Sequence, residues 1–157
     1  ISTWNGYVGA LLGADVGAVL DEHMRFSDRF RGIRHAAGWD PSDSVRNSHT
    51  NPPEHLFLDE SFRQGFQELA NRGLSFDAWC YHNQIPELTD LAKAFPEVTI
   101  IFDHFGGPLG LGPYAGKGDE ILAMAREQMA QAGSEIFGPK VPLEADGSVG
   151  KSWGDAH

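Results

Sequence analysis

Two strand-forming segments of this chain run directly into side chains that could do chemistry. The stretch VTIIFDH, residues 98–104, ends in Asp103 and His104, and the stretch DRFRGIRH ends in Arg34 and His35. Carboxylates and imidazoles are the groups that most often move protons in active sites. The two strand ends are therefore candidates for a functional site, with His104, Asp103 and His35 as its candidate catalytic residues.

A third segment, LSFDAW at residues 74–79, continues the pattern. The polar and aromatic residues that it delivers are Asp77, Trp79, Tyr81, His82 and Gln84. Downstream of residue 104, the stretch GGPLGLGPYAG is too rich in Gly and Pro to be a simple connector, and it brings in Tyr114 as a further candidate ligand contact. This stretch lacks the Lys-Ser/Thr ending of a phosphate loop. Each aromatic taken singly is also compatible with an ordinary core or rim position.

Amphipathic stretches separate the three segments and must position them. The apolar spacing predicts helices over residues 14–27, from the N-cap Asp59 to Gly73, from Pro86 to Phe95, and over residues 119–132. Strands that alternate with helices of this length predict an α/β fold with a parallel sheet. Since the carboxyl ends of parallel strands meet at one edge, all three segments should deliver their polar residues to one place.

Strict alternation along the strands suggests which side chains face that place. In the segment VTIIFDH it puts Phe102 and His104 on one face and Asp103 on the other. We therefore predict that His104 points into the site and that Asp103 supports it or the adjacent loop. Asp77 and Trp79 share a face with each other, which suits the interior of a barrel mouth.

Composition excludes several classes of function. Twelve Lys and Arg stand against 22 Asp and Glu, a formal net charge of -10, which argues against a nucleic-acid partner. Cys80 is the only cysteine, so an internal disulfide is excluded, and the chain has no Cys/His zinc spacing. It also has no apolar run of membrane-spanning length and no secretory signal, so we expect a cytoplasmic protein without a membrane partner.

Two regions have no sustained period. The long polar stretch over residues 36–57 is of a length that is usually functional or disordered, and we treat His49 and His55 within it as solvated. Residues 133–157 are rich in Gly, Pro and Ser, which predicts an irregular tail after a structured region over residues 1–132.

The stretches FRGIRHAAGWD and GLSFDAWCYHNQIPELTDLAKAFPEVTIIFDHFGGPLGLGPYAG resemble the amidohydrolase-related family, in its lactonase-like, metal-dependent hydrolase branch. The resemblance implies a TIM-type (β/α)8 barrel, of which this chain is a partial barrel with about strands four to six. His104 then matches the histidine that ends the sixth strand, and Arg34 matches a position that can hold a substrate carboxylate. The residues that match the rim of the pocket are Tyr81, His82 and Gln84.

The resemblance implies hydrolysis of a lactone, another cyclic ester or an amide of a small molecule by water attack on a polarised carbonyl. A divalent metal such as zinc is compatible with the family, and a metal-independent reaction is left open. The family's His-x-His pair on the first strand, and the Asp on the eighth strand that acts as the general base, have no counterpart here. We therefore expect a central segment of the enzyme that lacks the complete catalytic set and whose exposed edges favour homo-oligomers.

Two alternatives compete with this interpretation. The chain is a non-catalytic module that binds a small carboxylate through Arg34, or it is an independent metalloprotein that uses His35, His82 and His104 as ligands. Binding without turnover separates the first alternative from an enzyme, and metal analysis tests the second.

Overall fold

A parallel sheet with a helix after each of its first three strands forms the first part of the chain. The computed structural model describes residues 4–7, 10–124 and 126–127. In chain order the strands and helices are β1 (Trp4–Tyr7), α1 (Val16–Phe26), β2 (Phe30–Ala36), α2 (Glu60–Arg72), β3 (Ser75–Trp79), α3 (Ile85–Ala94) and β4 (Ile100–Phe102). The strand order is β1-β2-β3-β4, and each neighbouring pair is parallel. The predicted α/β class and parallel sheet are confirmed.

The chain divides into two compact units, Ile1–Gly107 and Pro108–His157. The first unit contains the whole sheet. In the second unit, residues 112–114 form a 3-10 turn, and residues 118–124 and 126–127 are helical, beginning one residue before the helix predicted over 119–132. The rest of that helix and the tail predicted over 133–157 lie outside the described residues. No helix in the described part of the chain combines the length and apolarity needed to cross a membrane.

Helix α2 shows how local sequence signals set the boundaries of the elements. The Asp59 side chain accepts a hydrogen bond of 2.8 Å from the backbone N–H of Phe62, which satisfies one of the unpaired donors of the first turn. Gly73 ends the helix with a φ of 62°, a left-handed conformation that glycine adopts without a Cβ clash. Both boundaries agree with the prediction from sequence.

The three helices contribute to one core on one face of the sheet. The buried apolar side chains from these elements are Val16 and Leu20 of α1, Phe62, Phe66 and Leu69 of α2, Leu88 and Leu91 of α3, and Ile33, Phe76 and Ala78 of the strands. Phe62 lies at the centre of an aromatic cluster, with its ring 5.7 Å from Phe57, 6.1 Å from Phe66 and 6.0 Å from Phe76. Burial of this face leaves the other face of the sheet for polar residues.

The structure corrects the sequence prediction at two strands. β1 was not predicted. The predicted strand VTIIFDH is a strand only over Ile100–Phe102, because the chain turns into a 3-10 helix over Asp103–Gly106. His104 has a φ of 50° within that turn. Regular strand geometry therefore ends at Phe102, before Asp103 and His104.

Candidate active site

Polar side chains form a row on the face of the sheet opposite the core. The register pairs Arg34 of β2 with Asp77 of β3, and Asp77 with Ile101 of β4. Because paired residues of parallel strands point to the same side, this row crosses the sheet close to its carboxyl end. Asp103 follows Ile101 by two residues and continues the row.

Arg34 makes ion pairs with both carboxylates, and we name Arg34, Asp77 and Asp103 the Arg34 cluster. The Nη2 atom of Arg34 donates to Oδ2 of Asp103 at 2.6 Å, and the Nε atom of Arg34 lies 3.5 Å from Oδ2 of Asp77. The carboxylate side chains are 12–13% exposed, whereas the Arg34 side chain is 46% exposed. The two carboxylates thus hold one guanidinium in a defined orientation on an accessible face.

An open cleft of about 440 Å³ lies beside the cluster. Its lining residues are Arg34, Ala36, Arg46, Asn47, Ser48, His49, Trp79 and Tyr81. The rings of Trp79 and Tyr81 pack edge to face with centroids 5.5 Å apart and form an aromatic wall. A cleft of this volume, with an aromatic wall and several polar groups, is large enough for a small molecule.

The loop over residues 37–50 supplies the other wall of the cleft, and buried hydrogen bonds hold it to the sheet. The Ser48 hydroxyl donates to the carbonyl of Ala36 at 2.6 Å, and the Ser48 N–H donates to the carbonyl of Gly38 at 2.8 Å. The Asp40 N–H donates to Oδ1 of Asn47 at 2.8 Å. These hydrogen bonds therefore hold the 37–50 loop in a defined position as part of the site.

Gln84 has a structural position that differs from its predicted role at the substrate. It is buried, and its Oε1 accepts hydrogen bonds from the backbone N–H of Trp39 at 3.0 Å and of Tyr81 at 3.1 Å. Its Nε2 donates to the carbonyl of Ala37 at 2.9 Å. Gln84 thus ties the 37–50 loop to the turn after β3, and it positions Tyr81 without facing the cleft.

Replacing Gln84 with Ala should lower the free energy of unfolding by about 2 kcal/mol, because the buried Ala37 carbonyl loses its donor and two part-buried backbone N–H groups lose their shared acceptor. Chemical denaturation of both proteins measures this loss. The matched control is Gln67→Ala on the exposed face of α2, which should change stability by less than about 0.5 kcal/mol. Equal effects of the two substitutions would contradict the role assigned to Gln84.

The histidines do not all converge on the cleft. His35 is buried on the core face, with its ring 6.2 Å from that of Phe62, and its predicted catalytic role stays a prediction. His104 is exposed at the end of β4. His82 is half-buried, and burial lowers the pKa of its imidazole. Tyr114 lies in the second unit, in the turn at residues 112–114, and its predicted contact with a ligand stays a prediction.

Asp103 shares a face with Ile101, as alternation predicts, and joins the row with Arg34 and Asp77. The prediction that His104 points into the site stays a prediction, since the chain turns into a 3-10 helix at Asp103. Tyr81 lies on the cleft as predicted for the rim, and burial raises the pKa of its hydroxyl, with Asp40 adding to the effect.

Sequence reasoning missed Arg46 as a cleft residue and treated His49 and His55 as solvated. His49 is exposed and lines the cleft, whereas His55 lies elsewhere and pairs through Nδ1 with Oε1 of Glu87 at 2.6 Å. The signal that could have located the cleft residues is the unusual length of the 36–57 stretch, which predicted a functional loop without saying which side chains carry the function.

The His55–Glu87 pair gives a pH-dependent prediction. The hydrogen bond to Glu87 raises the pKa of the exposed His55 imidazole. The pair therefore stabilises the fold fully below the ordinary histidine pKa of about 6.5, and this contribution is lost as pH rises through the raised pKa. An NMR titration should show that Glu87→Gln lowers the pKa of His55 more than Glu54→Gln, since Glu54 lies 3.5 Å away. An unchanged pKa in Glu87→Gln would contradict this assignment.

The donor set does not fit a metal ion within the described part of the chain. No three His, Cys, Asp or Glu side chains there lie close enough together to hold one. The hypothesis that His35, His82 and His104 together form a metal site is therefore wrong, as expected from the burial of His35 on the core face.

Comparison with known proteins finds a matching family and a related sequence. The sequence profile of a family described as Amidohydrolase matches residues 6–147. The uncharacterized protein y4mH of Sinorhizobium fredii is 45% identical over 92 residues, which are 59% of this chain and 30% of that protein. The chain thus spans less than a third of the length of this relative.

A solved structure supports the fold. The crystal structure of an amidohydrolase from Burkholderia multivorans with bound zinc aligns with a TM-score of 0.56 at 18% identity, and the alignment covers 85% of this chain and 41% of the other. At this identity the likeness extends to the fold alone. The matched part is again less than half of the longer protein.

Proposed function

Since this chain belongs to the amidohydrolase family, we propose that it is the central segment of a hydrolase that acts on a lactone, another cyclic ester or an amide of a small carboxylate-bearing molecule. The observation that carries the proposal is the Arg34 cluster beside an aromatic-walled cleft at the carboxyl ends of parallel strands, where α/β enzymes place their sites.

We also propose a partial (β/α)8 barrel over residues 1–132, in which β2, β3 and β4 correspond to the fourth, fifth and sixth strands. The unbroken parallel order of four strands, with helices on the core face, supports this arrangement. In such a barrel the face that carries Arg34, Asp77 and Trp79 is the interior, which explains why polar residues line a sheet whose other face is apolar.

Arg34 is the residue of this chain that we assign to the carbonyl of the substrate. A guanidinium carries five N–H donors, and the contacts to Asp77 and Asp103 leave donors for a substrate oxygen. Donors fixed in advance stabilise the negative charge that grows on the carbonyl oxygen in the transition state. Asp77 and Asp103 are then positioning residues, and Trp79 and Tyr81 bound the substrate.

The reaction itself needs only water as the second reactant. The water oxygen bonds to the carbonyl carbon, the carbon–oxygen bond of the ester or the carbon–nitrogen bond of the amide breaks, and the proton from water passes to the leaving group. The family resemblance assigns the base to an Asp of an eighth strand, and it places His104, exposed at the end of β4, at the site. A divalent metal such as zinc is a proposal for the whole protein, since the described donors of this segment do not form a metal site.

A turnover assay tests the proposed function. The complete protein that contains this segment is mixed with a panel of five- and six-membered lactones and cyclic amides that carry a carboxylate, and acid release or ring opening is followed. Hydrolysis well above the buffer rate for at least one compound supports the proposal. Binding of these compounds without turnover would instead favour the alternative of a non-catalytic binding module.

A further inference from the structure

Arg46 is an exposed cation on the wall of the cleft. It takes part in none of the ion pairs formed between described residues, whereas Arg25, Arg34, Arg63 and Arg72 each pair with at least one carboxylate. In a chain with a formal net charge of -10, acidic partners are abundant. A cleft arginine that keeps its guanidinium away from them is available for an anionic ligand.

The backbone at Arg46 is held in place by the aromatic wall opposite. The Tyr81 hydroxyl donates to the Arg46 carbonyl at 2.5 Å, which ties residue 46 to the end of β3. The next two residues, Asn47 and Ser48, are fixed by the hydrogen bonds to Asp40, Ala36 and Gly38 described above. The base of the Arg46 side chain is thus organised before any ligand binds, which reduces the entropy cost of binding.

Arg34 has the opposite electrostatic setting. Two carboxylates already face its single guanidinium, so the Arg34 cluster as a whole does not attract a further carboxylate. A neutral carbonyl oxygen can still accept a hydrogen bond from Arg34 without adding a third negative charge. The two arginines of the cleft are therefore suited to different parts of one substrate.

We propose that Arg46, and not Arg34, is the main counter-ion for the carboxylate of the ligand, and that the ligand carries this carboxylate on a flat, unsaturated or aromatic ring. The ring would lie against Trp79 and Tyr81, whose rings form the apolar part of the cleft. This inference rests on the proposed function for the identity of the cleft as the substrate site, and it narrows the class of substrate.

Benzoate and its neutral analogue benzamide test the proposal by NMR titration of the 157-residue chain. Benzoate should shift the backbone resonances of residues 46–48 and of Tyr81, and Arg46→Gln should weaken benzoate binding at least tenfold. Benzamide binding should change less than twofold between the parent chain and Arg46→Gln. The matched control is Arg25→Gln on α1, whose side chain is exposed and pairs only with Glu22 among the described residues; it should bind benzoate like the parent chain.

A second variant, Arg46→Lys, keeps the positive charge but lacks the bidentate donor geometry of a guanidinium. It should bind benzoate more tightly than Arg46→Gln and less tightly than the parent chain. The proposal is overturned if Arg46→Gln binds benzoate as tightly as the parent chain, or if benzoate shifts no resonance of the cleft.

These outcomes are separate from those of the turnover assay. Loss of benzoate binding in Arg46→Gln, together with no hydrolysis of any lactone or amide, would support the carboxylate site and refute the hydrolase. Hydrolysis of a lactone or amide, together with unchanged benzoate binding in Arg46→Gln, would support the hydrolase and refute the carboxylate site.

Discussion

Replacing Arg34 with Met should lower the free energy of unfolding by about 3 kcal/mol, because two largely buried carboxylates lose the guanidinium with which both of them pair. The value lies at the low end for a broken buried pair, since the Arg34 side chain is itself 46% exposed and partly screened by solvent. Chemical denaturation at neutral pH measures the loss.

A second substitution separates charge from packing. Asp103→Asn in the same chain removes one of the two facing charges and should restore more than half of the lost stability. Arg25→Met breaks an ion pair between side chains that are 69% and 63% exposed, and should cost less than about 0.5 kcal/mol. If Asp103→Asn gave no recovery, repulsion between the carboxylates would not be the cause of the loss.

Replacing Phe62 with Ala should have the largest effect on stability, about 4 kcal/mol. Phe62 is fully buried where α2 meets the sheet, and its ring contacts the rings of Phe57, Phe66 and Phe76. Truncation removes a large apolar side chain and leaves a cavity that these rigid rings cannot fill. Thermal unfolding followed by circular dichroism should show a much lower melting temperature.

Phe26→Ala is the matched control for this substitution. Phe26 ends α1 with 83% of its surface exposed, so its removal should change the free energy of unfolding by less than about 0.5 kcal/mol. A loss at Phe62 no larger than that at Phe26 would mean that the aromatic cluster does not hold α2 on the sheet.

Elements with strong local signals could be predicted from the sequence. The Asp59 cap, the apolar spacing of Phe62, Phe66 and Leu69, and Gly73 all act within one helix, and together they gave its boundaries. β1 has only four residues, WNGY, and one of them is a glycine, so no period marks it as a strand.

The location of the site could be predicted from the sequence, but the contacts between its side chains could not. Three strand ends pointed to one edge of the sheet, and the structure brings Arg34, Asp77 and Asp103 together there. The ion pair of Asp103 with Arg34 was not predictable, because the strand ends at Phe102 and the next residues form a 3-10 turn. Tertiary contacts determine where a short apolar strand ends, and the local sequence does not indicate that residue.

Long-range hydrogen bonds explain the other differences. Gln84 joins segments that are 45 residues apart in sequence, and nothing local distinguishes such a residue from a ligand contact. Arg46 sits in a stretch without periodicity, so only the folded loop shows that it lines the cleft. Sequence reasoning thus found the strand ends and missed the loop that completes the site.

The central claim is that the Arg34 cluster belongs to the reacting site of a hydrolase. The most direct test is kcat/KM of the complete protein for a lactone or amide that it hydrolyses, compared with the Arg34→Met/Asp103→Asn double variant, whose fold should be largely restored. We predict a loss of at least about 100-fold, as for removal of a preorganised donor to the carbonyl oxygen, with Arg25→Met unchanged. A folded double variant that hydrolyses the same compound within threefold of the parent rate would contradict the claim.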